Sequence, residues 1–181
     1  RRATRDRRGM VAPRSGGDMI GLTADAAPLD NLELCINRCH LSIAAMVATP
    51  YASGLSTLVD DEAELGVVAV DLGAATTTMG VFLGGKFIHA DAVAVGGHHI
   101  TTDIARGLST GMDVAERLKI MQGSALVSAS DERDLVSVPP LGDDGRDVPN
   151  QLPRSALTRI VRARVEETLE LVRDRLNASG F

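Results

Sequence analysis

The sequence predicts a chain of the α/β class, and three observations carry that prediction. Val67-Val68-Ala69-Val70-Asp71 is a continuous apolar run closed by an acid, the form of a strand buried on both faces. Two more strand-like runs follow, Thr76–Leu83 and Phe87–Val95, separated by the hairpin turn Gly84-Gly85. A long terminal segment then places Leu157, Ile160, Val161, Val165, Leu169, Val172 and Leu176 at helical spacing, with Arg and Glu on the other face.

The elements read in order as follows. Residues 19–24 suit a short strand. Pro28 opens a helix whose apolar positions are Leu29, Leu32, Ile36 and Cys39, and Ile43–Ala48 suits another strand, so the start of the chain reads as strand–helix–strand. Pro50 opens a second helix, Tyr51 to about Leu58, and an acidic run follows at Asp60, Asp61, Glu62 and Glu64. After the three strands, Gly96-Gly97 breaks the pattern and Ile100, Ile104, Ala105 and Leu108 give a helix. Asp113 is placed to cap the next one, through Val114, Leu118 and Met121 to Gly123. Asp134–Val138 is a candidate strand, and Pro139-Pro140, Gly142 and Gly145 mark turns.

Composition narrows the function classes. The 181 residues are 44% apolar but only 2% aromatic, so the core is expected to be aliphatic, and base-stacking platforms for single-stranded nucleic acid are disfavoured. Residues 1–14 hold six Arg against one Asp on a chain of net charge −5. Without Lys or interleaved aromatics that run reads as a solvated arm, and no nucleic-acid partner is expected. Two cysteines, Cys35 and Cys39, are too few for a disulfide framework. With His40 they invite a metal reading, but no second cluster supplies a fourth ligand, so buried core thiols are expected. No apolar run is long enough to span a bilayer.

Three segments suit nucleotide chemistry. Asp71-Leu72-Gly73-Ala74-Ala75-Thr76-Thr77 lies between two strands. Its small residues let backbone amides approach a phosphate, Thr76 and Thr77 offer hydroxyls, and Asp71 suits a hydrated Mg²⁺. Gly96-Gly97, followed by Thr101 and Asp103, opens a helix whose N-terminus favours anions. Glu116 and Lys119 are three apart and share a helix face, fit to hold a ribose and an adenine edge. Each alone also fits a plain turn, a capped helix or a surface ion pair.

Their order and spacing, from Asp71 to Lys119, resemble the second phosphate motif and the adenosine-contacting helix of actin, Hsp70 and MreB-type ATPases. The segments Asn31–Cys35, Pro50–Leu55, Asp61–Gly66, Ala115–Lys119, Ser130–Asp134, Val138–Pro140 and Val165–Arg173 are similar to the FtsA family of bacterial cell-division proteins. The resemblance covers nearly the whole chain beyond about residue 18 and implies part of an actin-like (ribonuclease H-like) ATPase fold. By this mapping residues 1–48 are the end of the family's interaction subdomain, and 49–65 a helix returning to the first lobe. Residues 66–123 are the nucleotide-binding part of the second lobe, and 124–181 its upper part.

The resemblance further implies ATP and Mg²⁺ as cofactors, with Asp71, Gly73, Ala74, Ala75, Thr76, Thr77, Gly96, Gly97, Glu116 and Lys119 at the nucleotide and Asp71 reaching the metal through water. It implies self-association into filaments, binding of the FtsZ C-terminal tail, contacts with other division proteins, and a place on the cytoplasmic side of the inner membrane at the division site. The membrane helix, the first phosphate loop and the later Gly-Gly adenine loop are expected in sequence outside this chain, whose ends read as cuts. Arg162 and Arg164 are the candidates for the FtsZ tail. No catalytic residue is named, and hydrolysis is expected to be weak or absent. The alternatives are another actin-fold ATPase or phosphotransferase, or a binding scaffold with a decayed nucleotide site. The methyl of Ala75, where the family usually has Gly, is expected to crowd a phosphate oxygen.

Overall fold

The computed structural model describes residues 20–141 and 149–181. The Arg-rich run at 1–14 and the turn glycines Gly142 and Gly145 lie outside them. The chain divides into two units, Arg1–Ile43 and Ala44–Phe181.

The described part of the first unit holds one helix, α1 (Ala26–Arg38). It ends in a Schellman-type closure: His40 takes φ 59°, and the Leu41 amide reaches back to the Ile36 carbonyl at 3.4 Å. The strands expected on either side of α1 do not form at 20–25 or 41–48. A strand needs a neighbour to complete its ladder, and no other strand is described in this unit. No residue of α1 is buried, and Cys35 and Cys39 are exposed free thiols rather than core thiols.

The second unit begins with α2 (Thr49–Thr57), which has Pro50 in its first turn, where a missing amide costs nothing. The acidic run is itself a helix, α3 (Asp60–Leu65), with Asp60, Asp61 and Glu62 at the positive end of its dipole. The Glu62 carboxylate accepts the Val59 amide at 3.1 Å.

An antiparallel sheet follows in the order β1-β2-β3: β1 (Val67–Leu72), β2 (Thr77–Leu83) and β3 (Lys86–Val93). The β2–β3 turn needs positive φ at both central residues, and Gly84 and Gly85 supply 60° and 68°. β2 is the central, buried strand. β1 is an edge, and Val70 and Leu72 are exposed, which corrects the expectation of a strand covered on both faces. An unbroken apolar run records the hydrophobicity of a strand but not its rank in the sheet.

The pairing Asp71↔Thr78 and Leu72↔Thr77 sets the two faces of the sheet. α2 covers the face that carries Asp71, Thr78, Gly80 and Phe82. Tyr51 meets Phe87 at 5.3 Å between ring centroids, and Phe87 meets Phe82 at 5.2 Å. Three of the four aromatic residues of the chain thus lie where one helix meets the sheet, while apart from Phe82 the buried hydrophobic core of the described residues is aliphatic, as expected. The opposite face carries Met79 and Val93 and packs on Val172 of the last helix.

Beyond the sheet come α4 (Gly97–Gly107) and α5 (Met112–Gln122), whose N-cap is Gly111 rather than Asp113. β4 (Leu135–Val138) pairs with β5 (Asn150–Pro153), a strand not foreseen. Helix α6 (Arg154–Ala178) closes the unit. Its first half lies in the core of Ile104, Ala115, Leu118, Val136, Val138, Leu157 and Val161, and its second half against the sheet. The buried stripe passes through Thr168, whose hydroxyl donates to the Arg164 carbonyl at 2.7 Å, and leaves Leu169 exposed. Geometry outranks side-chain polarity there, because Thr168 can satisfy its own hydroxyl within the helix.

Candidate functional site

The loop between β1 and β2 is held by its own backbone. The Gly73 amide donates to the Thr76 carbonyl at 2.9 Å. The first two amides of α4 are then spent on the same loop: Gly97 N donates to Gly73 O at 2.9 Å and His98 N to Ala74 O at 2.8 Å. Gly96 allows this approach. A Cβ there would lie 2.5 Å from Gly73 O and 2.7 Å from Ala74 O. The Gly96 amide is taken by His99 Nδ1 at 3.1 Å. These donors at the start of α4 therefore tie the helix to the loop instead of standing free for an anion, as the sequence suggested.

A pocket of about 570 Å³ opens beside this junction, within the usual range for a small ligand. Leu72, Gly73 and Ala74 form one wall, Gly97, His98 and Thr101 the second, and Met112, Asp113, Glu116 and Lys119 of α5 the third. Lys119 Nζ donates to Glu116 Oε2 at 2.7 Å, to Thr101 Oγ1 at 2.9 Å and to the Gly97 carbonyl at 3.1 Å. Thr101 is 2% exposed, and its hydroxyl also reaches Glu116. The Lys119 hydrogen bond, with that of Thr101 behind it, holds the Glu116 carboxyl below its ordinary value. Glu116 stays about half exposed, so this charged pair faces the pocket with its geometry already set.

Of the ten expected nucleotide residues, five line this pocket: Gly73, Ala74, Gly97, Glu116 and Lys119. Gly96 acts behind its wall. Ala75 and Thr76 are exposed on the loop outside the lining, and the backbone at Ala75 does not require glycine, since its φ is not positive. Thr77 is fully buried, and its hydroxyl donates to the Val95 carbonyl at 2.8 Å. Neighbouring ladder positions put Thr77 on the α6 face and Asp71 on the α2 face.

Asp71 therefore has surroundings of its own. Its Oδ2 accepts the Ser53 hydroxyl of α2 at 2.6 Å. Directly across the ladder, the Thr78 hydroxyl is buried without a hydrogen-bond partner. A carboxylate beside an unsatisfied hydroxyl is a hard-oxygen donor set of the kind that suits a hydrated Mg²⁺. Among the described residues no cluster of three or more His, Cys, Asp or Glu is poised to hold a metal outright. Thr101 is named in the sequence only with the start of α4, and Ser53 and Thr78 are not marked there as site residues. Small hydroxyl residues inside regular elements carry no pattern that would mark them.

The two arginines proposed for a partner part company. Arg162 pairs with Glu166 at 2.7 Å and lines a groove of about 420 Å³ with Val127, Asp131, Glu132, Ser155 and Arg159. Arg164 ties α6 to α4 through Asp103 at 2.5 Å and also meets Glu167 at 2.6 Å. The Asp103 contact raises its guanidinium pKa. Positions two apart point to different sides of a helix, so the pair does not share one surface.

Comparison with known proteins gives the family and the fold. The family model described as "Cell division protein FtsA" matches residues 68–179. The chain is 61% identical to cell division protein FtsA of Rhizobium meliloti over 180 residues, which is 99% of the chain and 41% of that protein. It is 58% identical to FtsA of Agrobacterium fabrum over the same shares, and 33% identical to FtsA of Bacillus subtilis over 88% of the chain and 36% of that protein. The chain thus spans about two fifths of the length of the relatives it matches. Among solved structures, MreB5 of Spiroplasma citri bound to ADP superposes with a TM-score of 0.67 at 16% identity, over 85% of this chain and 48% of that one. The AMPPNP-bound form gives 0.68 over the same shares. The fold is therefore part of an actin-like ATPase fold, and the chain belongs to the FtsA family of cell division proteins.

Proposed function

We propose that this chain supplies the second-lobe half of an ATP site in an FtsA-type protein that self-assembles like actin and links FtsZ filaments to the inner membrane. The observation that carries the reading is the pocket in which Gly73, Ala74, Gly97, Glu116 and Lys119 meet. In this reading the 73–74 wall faces the phosphates, and Glu116 and Lys119 face the ribose and adenine edge. Asp71 reaches magnesium through water, and the metal, when bound, neutralises phosphate charge. The MreB5 structures bound to ADP and AMPPNP share the fold and support a nucleotide in this cleft. The division into 66–123 and 124–181 as lower and upper parts of the second lobe belongs to the same proposal, as do the other division partners and the peripheral place on the cytoplasmic face at the division site. Among the described residues no helix is long and apolar enough to cross a membrane.

In this reading none of His98, Asp113 and Glu116 is assigned as a catalytic base, and the output of the site is assembly rather than turnover. Calorimetric titration of the full-length protein with ATP and Mg²⁺ tests the reading. Wild type should bind, and Lys119→Met should bind at least about tenfold more weakly. A wild type that fails to bind would leave a scaffold in place of an ATP-binding protein.

The groove beside Arg162 favours the partner half of the reading. It joins apolar Val127 and Ala163 to Arg159 and Arg162, with Asp131, Glu132 and Glu166 alongside, a surface of mixed charge that offers a peptide apolar seats and guanidinium partners for its acidic groups. Arg162→Glu should weaken binding of an FtsZ tail peptide, whereas Arg164→Glu should act chiefly on stability by leaving Asp103 without its partner.

A further inference from the structure

The carboxylate assigned to magnesium does not stand alone, and its one hydrogen-bonding neighbour among the described residues comes from a different layer of the fold. Ser53 lies midway along α2, partly buried, and its Oγ donates to Asp71 Oδ2 at 2.6 Å. The other oxygen, Oδ1, accepts no hydrogen bond from a described residue. Across the ladder stands the buried, unpartnered Thr78 hydroxyl. Helix α2 is fastened over this face by the Tyr51–Phe87–Phe82 aromatic contacts, and the Pro50 carbonyl packs closely over Gly80. The position of the Ser53 hydroxyl is therefore set by how α2 sits on the sheet.

We propose that Ser53 is a positioning residue for the metal carboxylate: it occupies Asp71 Oδ2, fixes the rotamer of the side chain, and leaves Oδ1 to receive a magnesium-bound water. A carboxylate free to rotate about its side-chain bonds loses that entropy when it takes up a metal's hydration shell, and a carboxylate already held by a hydroxyl does not. Because the donor sits on α2, the metal site also reads the position of that helix. A shift of α2 along the sheet withdraws the hydroxyl, and a bound metal ion holds α2 in place. The inference rests on the nucleotide reading above and adds to it a residue and a route of coupling.

The test is ATP binding to the full-length protein, titrated once in Mg²⁺ and once in EDTA, so that the ratio of the two affinities isolates the metal. Ser53→Ala should lower the Mg²⁺-dependent gain about tenfold and leave the EDTA affinity unchanged. Ser53→Thr, which keeps the hydroxyl, should restore most of it. Ser53→Ala combined with Asp71→Ala should behave as Asp71→Ala alone. Ser56→Ala, whose hydroxyl bonds only the Ser53 carbonyl of its own helix at 2.9 Å, controls for a general effect on α2. If Ser53→Ala fails to fold, Ser53→Cys, similar in size and a weak donor, is read in its place. Equal losses with and without metal, or additive effects of the Ser53 and Asp71 changes, would overturn the positioning role. A wild type that binds ATP with an unchanged Mg²⁺ gain in Ser53→Ala removes this inference alone, whereas a wild type that binds no ATP removes the nucleotide reading and this inference with it.

Discussion

The two junctions that join the walls of the pocket are built by different means. The 73–76 loop and the start of α4 are joined through backbone, with amides of Gly73, Gly97 and His98 all satisfied by main-chain carbonyls. The α4–α5 wall is joined through side chains, with Lys119 bonded to Glu116, Thr101 and the Gly97 carbonyl. A backbone-built wall tolerates changes of side chain but not of backbone clearance. A side-chain-built wall holds its shape only while each charge and hydroxyl is present. The comparison places the rigid part of the site at the 73–76 loop and the chemically tunable part at Glu116 and Lys119.

Gly96→Val tests the first wall and should have the largest effect. Its Cβ would overlap the Gly73 and Ala74 carbonyls, so the loop must separate from α4, at a cost of about 3 kcal/mol or more in denaturant unfolding. ATP affinity should be lost with it. Lys119→Met tests the second wall. It leaves Glu116 and Thr101 without their shared donor, and the unfolding free energy should fall by about 1–2 kcal/mol while the Gly73–Gly97 junction survives. Amide hydrogen exchange at Gly97 and His98 would separate these outcomes, because protection should vanish in Gly96→Val and persist in Lys119→Met.

Acid should loosen the α4–α5 wall through Glu116. The Glu116 carboxyl is held below its ordinary 4.5 by Lys119 first and Thr101 second. A carboxyl that is more acidic folded than unfolded stabilises the fold above its unfolded value, and that contribution is lost as pH falls through the folded value. The contact should therefore be level from neutrality to about pH 5 and weaken only below the ordinary carboxylate range. Thr101→Val should move that loss to higher pH, which an NMR titration of Glu116 would register. The smallest effect is expected from Ala75→Gly. Residue 75 is exposed, lies outside the pocket lining and has no need of positive φ, so ATP affinity should change by less than about threefold. A tenfold gain would restore the expectation that its methyl crowds a phosphate.

Much of this architecture is legible in the residues. The Gly84-Gly85 turn fixes the hairpin, because few residues other than glycine accept its backbone angles. The spacing of Leu157, Val161 and Val172 fixes α6, and the order of the loop, the Gly-Gly pair and Glu116–Lys119 pointed to half of the pocket lining. What stayed hidden depends on neighbours distant in sequence. Nothing in Val67–Asp71 says whether a strand will be central or an edge. Nothing in Asn150–Pro153 announces a strand until Val136 and Val138 stand beside it. Thr77 was read as facing a nucleotide because it is a hydroxyl in a loop motif, but its place on the ladder turns it into the core. Ser53 becomes visible only when the sheet is brought against its helix, and the partners of Thr101 only when α5 is brought against α4.

The open border of β1 bears on how this chain behaves in a test tube. Among the described residues β1 has a strand on one side only, and along its length Val70 is 40% and Leu72 65% exposed. Unpaired amides and carbonyls beside exposed aliphatics form a template for another strand. A preparation of these 181 residues alone should therefore self-associate as its concentration rises. Because the attraction is apolar and main-chain in origin, salt should not disperse it. Light scattering of wild type against Val70→Lys, a charge set on that border, would show whether poor handling of the chain begins at this strand or elsewhere.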